Sequence, residues 1–343
     1  MRDQLGDLAR TPYFRSTLNL HLQQLREVVN RLLNKYHEIP PEVARSISIE
    51  VWSASKFLAG SVSKEIPYEV AFSLEQALQD WLPNPEQPYA VTTALLDEQQ
   101  YYFRGIYDQF YDMVSAFLDV TFEVKLIQIA LPRLYRHRPL YGVALYHELG
   151  HFIDTYFKVT EFSLLIAPPA LPQINPTQAY EVERSWRKEY FADLFAAGYT
   201  GSAIGVFLGH IAPNAPPSLS HPATNDRLNN IAAFLAGNKT QIIGLFDNAL
   251  QLLGLPTLTI RYSKPDIRPF LNNIRPYPIA NEPELHGLIE AGWEYLSAAH
   301  KDGDSPWTEL GEEKTDRIIN DVIEKSIRNW MIKTRWVDGT ANQ

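Results

Sequence analysis

Cysteine is missing from all 343 residues. That excludes a disulfide framework, a thiolate nucleophile and any cysteine-ligated metal, so a bound metal would have to rest on histidines and carboxylates. A basic surplus is missing as well. The 31 lysines and arginines face 40 aspartates and glutamates, a formal charge of −9, and a phosphate backbone selects the opposite balance. No apolar run approaches the roughly 18 residues of a membrane span. The opening residues 1–7 lack the apolar stretch of a secretory signal. The expectation is a soluble, cytoplasmic protein with no nucleic-acid or membrane partner. Internal repeats, a glycine-rich phosphate-cradling loop and a Gly-x-Ser-x-Gly elbow are also absent.

What is present is a chain long enough for two domains, 45% hydrophobic and 12% aromatic, a composition that builds a core. Apolar residues recur at helical spacing from Thr17 to His37 until Pro40-Pro41 interrupts them. Further helices read through Glu42–Leu58 and Tyr68–Trp81, the latter ended by Pro83-Asn-Pro85. A fourth is expected from about Leu96 to Leu118, dense in aromatics (Tyr101, Tyr102, Phe103, Tyr107, Phe110, Tyr111). Such a stripe reads as core rather than ligand platform. His21 and His37 in this region read as ordinary surface or core histidines.

Val120–Ala130 is the strand candidate, β-branched and partly alternating. Arg133-Leu-Tyr-Arg-His-Arg138 reads as a solvated basic turn. Pro139 then suits the first turn of a helix, where a missing N–H costs nothing. This helix runs to about Phe157 and carries His147-Glu148-Leu149-Gly150-His151. Two histidines four apart lie one turn above each other, so both imidazoles can reach one Zn²⁺ from the same side. Glu148 stands beside them, placed to take a proton from water held at the metal. The alternative is a satisfied pair of core histidines. The helix is apolar on most sides, which predicts burial. Gly150 costs about 1 kcal/mol in a helix interior, and a neighbour or ligand approaching closely there would explain it.

A proline-rich connector, Ala167–Pro172, precedes a helix that Asn175-Pro176 opens. Its charged first half (Glu181, Glu183, Arg184, Arg187, Lys188) reads as a solvated stripe. Glu189 and Asp193 differ, because the segment turns apolar around them. Glu189 can be the third zinc ligand, with Glu181 and Glu183 the fallback candidates. Asp193 can accept the free ring N–H of a ligating histidine and fix its tautomer. After the loop 212–220, His221-Pro222 leads into another helix that contains Arg227. An imidazole and a guanidinium at such a junction could both donate to a developing oxyanion, although taken alone the segment reads as a helix-start histidine and a solvated arginine. His210 reads as structural. Pro256–Pro278 reads as irregular with one strand-like run, Leu258–Tyr262. Amphipathic helices near Pro283–His300 and Trp307–Trp336 close the chain.

Three of these segments together resemble the gluzincin metallopeptidases, and within them the soluble catalytic core of the CAAX prenyl-protease and heat-shock membrane protease branch. His147-Glu148-x-x-His151 is similar to the zinc helix, Glu189-x-x-x-Asp193 to the third-ligand helix, and His221-Pro222 with Arg227 to the later His-Pro…Arg element. The resemblance covers roughly residues 139–230 and departs from that branch in lacking transmembrane helices.

It implies a zinc metallopeptidase acting on a peptide or protein substrate. His147, His151 and Glu189 would hold Zn²⁺, Glu148 would act as general base, and Asp193 would orient a ligand. His221 and Arg227 would steady the tetrahedral intermediate. The expected architecture is mainly α with a small sheet: an N-terminal helical region over 1–118, a zincin-like core over 119–235 and a C-terminal helical region over 236–343. Gluzincins commonly bind substrate along a strand edge, and Val120–Ala130 is the expected edge. The alternative function is a silent or latent zinc protein that engages a protein partner through its helical flanks.

Overall fold

The computed structural model describes residues 2–9, 16–61, 68–82, 89–96, 102–105, 108–169, 175–301, 306–307 and 309–341. Two compact units result, one of residues 1–71 and 82–136, the other of residues 72–81 and 137–343. Both are predominantly helical, and the small sheet lies in the first, so the chain is mainly α with a minor β component.

In the first unit, α1 (Arg2–Leu8), α2 (Ser16–Asn34) and α3 (Pro41–Ser61) form because their leucines and valines return every three or four residues. Leu18, Leu22, Leu25, Val28 and Leu32 of α2 are buried together with Ile47, Val51 and Leu58 of α3. Each such side chain contributes about 1.5–3 kcal/mol on burial. α4 (Tyr68–Gln79) begins at the edge of this unit and passes into the second.

Three strands follow around α5 (Asp108–Leu118): β1 (Tyr89–Leu96), β2 (Tyr102–Gly105) and β3 (Lys125–Pro132). β3 is central. It pairs in parallel with β1, from Tyr89↔Lys125 to Leu96↔Pro132, and antiparallel with β2, from Tyr102↔Ala130 to Gly105↔Ile127. Every residue of β3 after Lys125 is buried, which accounts for its nearly unbroken apolar run.

The sheet corrects several sequence expectations. The region over 1–118 is not wholly helical, since it contains β1 and β2, and the helix expected from Leu96 starts only at Asp108. Aromatic density favoured a strand at Tyr102-Phe103, and Gly105 follows where a helix would have to begin. Tyr101 and Tyr107, Pro83–Pro85 and residues 170–172 of the proline-rich connector lie outside the described residues. Val120, Phe122 and Val124 are buried but precede the strand. Asp119 turns the chain with φ 54°, and the Arg31 guanidinium donates to the carbonyls of Leu118 and Asp119 at 3.0 and 2.7 Å. Among the described residues β3 is hydrogen-bonded on both sides, to β1 along its length and to β2 from Ile127 to Ala130, so it is an internal strand and not the expected edge. Leu258–Tyr262 is not a strand either.

The second unit contains α6 (Val143–Phe157), α7 (Val159–Ile166), α8 (Pro176–Thr200), α9 (Ala203–Ile211), α10 (Thr224–Leu235), α11 (Gln241–Leu252), the single turn α12 (Arg268–Leu271), α13 (Glu282–Lys301) and α14 (Glu312–Ala341). The expected bounds of α6, α13 and α14 hold within about five residues, and α8 and α10 open next to Pro176 and Pro222 as expected. Among the described residues, no helix is long and apolar enough to cross a membrane.

His21 is a core residue of the first unit, fully buried beside Phe122 with ring centroids 4.9 Å apart. Its Nδ1 lies 2.8 Å from the Val124 carbonyl oxygen, which accepts the ring proton. Burial drives its pKa down to about 4, against a smaller upward pull from that hydrogen bond. A histidine depressed on folding costs nothing above pH 6.5, where both states are neutral. Below 6.5 the unfolded chain takes up a proton that the folded one refuses, so stability falls until about pH 4. The loss expected over that window is about 3 kcal/mol, and His21→Asn should flatten it. Urea titrations of both proteins at pH 7, 5.5 and 4.5 measure this, and parallel pH profiles would remove His21 as the cause.

Candidate metal centre

The centre depends on how α6 is anchored and how closely α8 approaches it. A 3-10 turn over Pro139–Gly142 leads into α6, so Pro139 sits one turn ahead of the α-helix proper. Asn320 Oδ1 accepts the Leu140 N–H at 3.1 Å, and Trp293 Nε1 donates to the Leu140 carbonyl at 2.8 Å. At the other end Lys158 adopts φ 58° and closes the helix. Buried Asp154 accepts the Thr160 N–H at 2.6 Å, satisfying one of the open donors at the start of α7.

Between these ends α6 buries Val143, Leu145, Leu149, Phe152 and Ile153. Gly150 is the contact point with α8. A Cβ built there would stand 2.9 Å from the Cα of Ala192 and 3.1 Å from the Cβ of Phe195. Since both are backbone or backbone-proximal atoms, no rotamer change can relieve the clash. The close neighbour anticipated for Gly150 is therefore α8 itself.

This approach brings Glu189 opposite the two histidines. His147 Nε2 is 3.4 Å from Glu189 Oε2, and His151 Nε2 is 3.4 Å from Oε1. The imidazole rings lie edge to face at 4.6 Å. One donor atom from each of His147, His151 and Glu189 falls within 4.8 Å of the others, a group that could hold a metal ion. Glu148, next to His147 and part exposed, is outside that group.

A second tier of charge fixes the carboxylates. Arg227 on α10 donates from Nε and Nη2 to the two oxygens of Asp193, both at 2.7 Å, and Nη2 lies 3.2 Å from Glu189 Oε2. Asp193 Oδ1 is also 3.0 Å from His147 Nδ1, close enough for an ion pair but off the line of a hydrogen bond. Asp193, Glu189 and Arg227 are all buried. Burial opposes ionisation of Asp193, yet Arg227 outweighs it and holds the carboxyl below its ordinary value. Glu189 is likewise held well below, its desolvation overcome by the two histidines.

Two carboxylates facing one guanidinium leave negative charge in excess. His147 answers it. Desolvation pulls its pKa down, but Asp193 and Glu189 prevail and raise it to about 10. In the metal-free protein this imidazole holds a proton that a metal ion must displace.

His221 is exposed on the loop before α10, its Nε2 3.6 Å from Glu189 Oε1. The loop is ordered by its own contacts. The His221 N–H donates to Ser218 Oγ at 3.0 Å, and the Ser218 N–H donates to the His221 carbonyl at 2.8 Å. Trp186, on α8 one turn before Glu189, donates from Nε1 to the Ser218 carbonyl at 2.9 Å. Sequence reasoning passed over Trp186, Ser218 and Asp154. The only signal was a lone tryptophan in a charged stretch.

That stretch is also less solvated than its composition implied. Arg187 is buried, donating to the carbonyls of Ser163 and Ala167, both at 2.8 Å, and to Glu183 at 2.7 Å. Arg184 forms a two-pronged pair with Glu161 of α7. These arginines fasten α7 to α8. Glu181 and Glu183 do not join the metal-ligand group.

Two outcomes are expected from this geometry. Gly150→Ala forces α6 and α8 apart, and overpacking of this kind costs about 1–3 kcal/mol. Urea unfolding and metal analysis should both register it, and a variant with wild-type stability and metal affinity would show that the contact is slack. Asp193→Ala leaves buried Arg227 with the single Glu189 contact at 3.2 Å in place of its two-pronged pair, with an expected loss of about 3–5 kcal/mol. Pairing it with Arg227→Met should recover part of that loss in the same titration.

Comparison with known proteins finds no matching family model, no matching curated protein and no matching solved structure.

Proposed function

We propose that this chain is a zinc-dependent metallopeptidase of the gluzincin type, with α6, α8 and α10 as its zincin-like core. The observation that supports this reading best is the meeting of His147, His151 and Glu189 within 4.8 Å, with Glu148 adjacent but outside the set. Two imidazoles and one carboxylate form the donor set of a catalytic zinc site that keeps a fourth position open. The spacing suits the same metal. Ligands at about 2.0–2.1 Å in a tetrahedron stand about 3.3–3.4 Å from one another; each imidazole Nε2 stands 3.4 Å from a different Glu189 oxygen, so a small rotation of the carboxylate would bring one oxygen to both.

Zinc, when bound, supplies a Lewis acid that polarises the scissile carbonyl and acidifies water. Glu148 takes the proton from the attacking water and passes it to the leaving amine. His221, exposed and with Nε2 3.6 Å from Glu189 Oε1, would in this reading turn its Nε2 to donate to the oxyanion. Arg227 has Nε and Nη2 engaged with Asp193, so its part in this reading is to position Asp193 and Glu189. Asp193, 3.0 Å from His147 Nδ1, would steady that ring and leave its Nε2 for the metal.

Elemental analysis should find about one zinc per chain, lost on replacing His147, His151 or Glu189 with Ala. Glu148→Gln should keep the zinc and the helical circular-dichroism spectrum while chelator-sensitive casein hydrolysis falls by about 10²–10⁴. Full zinc in Glu189→Ala would overturn the third ligand. A wild-type rate in Glu148→Gln, or hydrolysis indifferent to chelation, would overturn the peptidase reading.

A further inference from the structure

The residues of α8 that face the metal group continue as a stripe toward the helix start. Asp193, Glu189, Trp186, Val182 and Ala179 are spaced by four, three, four and three residues, so all five lie on one face, with Asn175 at the N-cap four residues further on. Trp186, Val182, Ala179 and Asn175 line a groove of about 770 Å³, opposite Pro168 on the connector and Leu219 on the loop. The groove and the metal group thus occupy successive turns of the same helix face. The groove lining includes Trp186, one turn from Glu189, and Leu219, two residues from His221. Trp186 also fastens the loop through Ser218, which makes groove wall and His221 parts of one unit.

The lining identifies an occupant. The two charged residues in it, Glu183 and Arg187, are paired with each other at 2.7 Å. The remaining donors of Arg187 are engaged by the carbonyls of Ser163 and Ala167, so the two charges offset each other and the described lining carries no net charge. The other polar lining residues are neutral amides: Asn175, Gln178 and Gln241. Leu219 stands 65% exposed at the wall. About 770 Å³ exceeds any single side chain, so the groove suits a stretch of chain.

We propose that the groove along Asn175, Ala179, Val182 and Trp186 is the subsite for a neutral, apolar segment of the peptide substrate, held to one side of the scissile bond. This rests on the metallopeptidase reading for the word substrate, though not for the binding itself. Apolar side chains contact Val182, Trp186 and Leu219, while the amides meet backbone groups.

The test uses full-length protein with metal content checked in each variant. Binding is read by fluorescence anisotropy of a fluorescein-labelled neutral decapeptide of Leu, Phe, Ser and Gly residues on Glu148→Gln protein. Ala179→Trp, which fills the groove, should weaken binding about tenfold or more. Selectivity is read by mass-spectrometric mapping of cut sites in a random decapeptide library. Wild type should favour bulky apolar residues at fixed positions on one side of the cut, and Val182→Glu should shift that preference toward Lys and Arg. If both variants bind and select as wild type does, the subsite is overturned while peptidase activity stands. If nothing is cleaved but Ala179→Trp abolishes peptide binding, the groove stands and the peptidase reading falls. If wild type neither binds nor cleaves these peptides, both are overturned.

Discussion

One missing side-chain carbon underlies the candidate centre. At Gly150 the backbone of α6 meets α8 so closely that a Cβ would lie 2.9 Å from the Cα of Ala192. Helices that touch through glycine and alanine sit nearer than the 8–10 Å typical when larger residues intervene. That nearness brings the imidazoles of one helix within ligand spacing of the carboxylate on the other. A glycine inside a helix is destabilising by about 1 kcal/mol. Here the surrounding burial of Leu149, Ile153, Phe191 and Phe195 offsets it.

Charge buried beside that contact needs its own explanation. Isolated carboxylates at the depth of Glu189 and Asp193 would shed their charge by taking up protons. At Glu189 the two histidines prevent this; at Asp193 the planar guanidinium of Arg227 does so by matching both oxygens at once, a geometry a lysine cannot reproduce. Such a pair adds little net stability against an apolar replacement. What it confers is fixed geometry, because the two parallel bonds from Arg227 set the plane of the Asp193 carboxylate. The second negative charge is met by the proton on His147, which an incoming cation displaces.

α8 carries more of the arrangement than any other element. Its apolar second half packs on α6, its carboxylates face the histidines, and its first half is fastened to α7 through Arg184 and Arg187. Trp186 sits where these roles meet and ties the His221 loop to the same helix. A helix that is polar in its first half and buried in its second therefore works as a single rigid ruler for the centre.

The division between sequence and fold follows the range of the forces involved. Period and punctuation are local. The leucine stripe of α2, the spacing of His147 and His151 and the prolines that open or end helices were legible because neighbours along the chain decide them. So was the unusual character of Glu189 and Asp193, carboxylates set in an apolar stretch. Strand pairing is not local. β1 and β2 became strands through hydrogen bonds to β3, more than twenty residues away in the chain, and no periodicity in Tyr102–Gly105 announces a partner. Side-chain assignment is not local either. Arg187 looked solvated beside other charges, yet the carbonyls at the end of α7 claimed it. Arg227 looked free to meet a substrate, yet Asp193 took two of its donors. The sequence by itself determined which residues could ligate a metal. Only the tertiary structure decided which charges were already engaged, because a buried ion must find its partner in space wherever that partner lies in the chain.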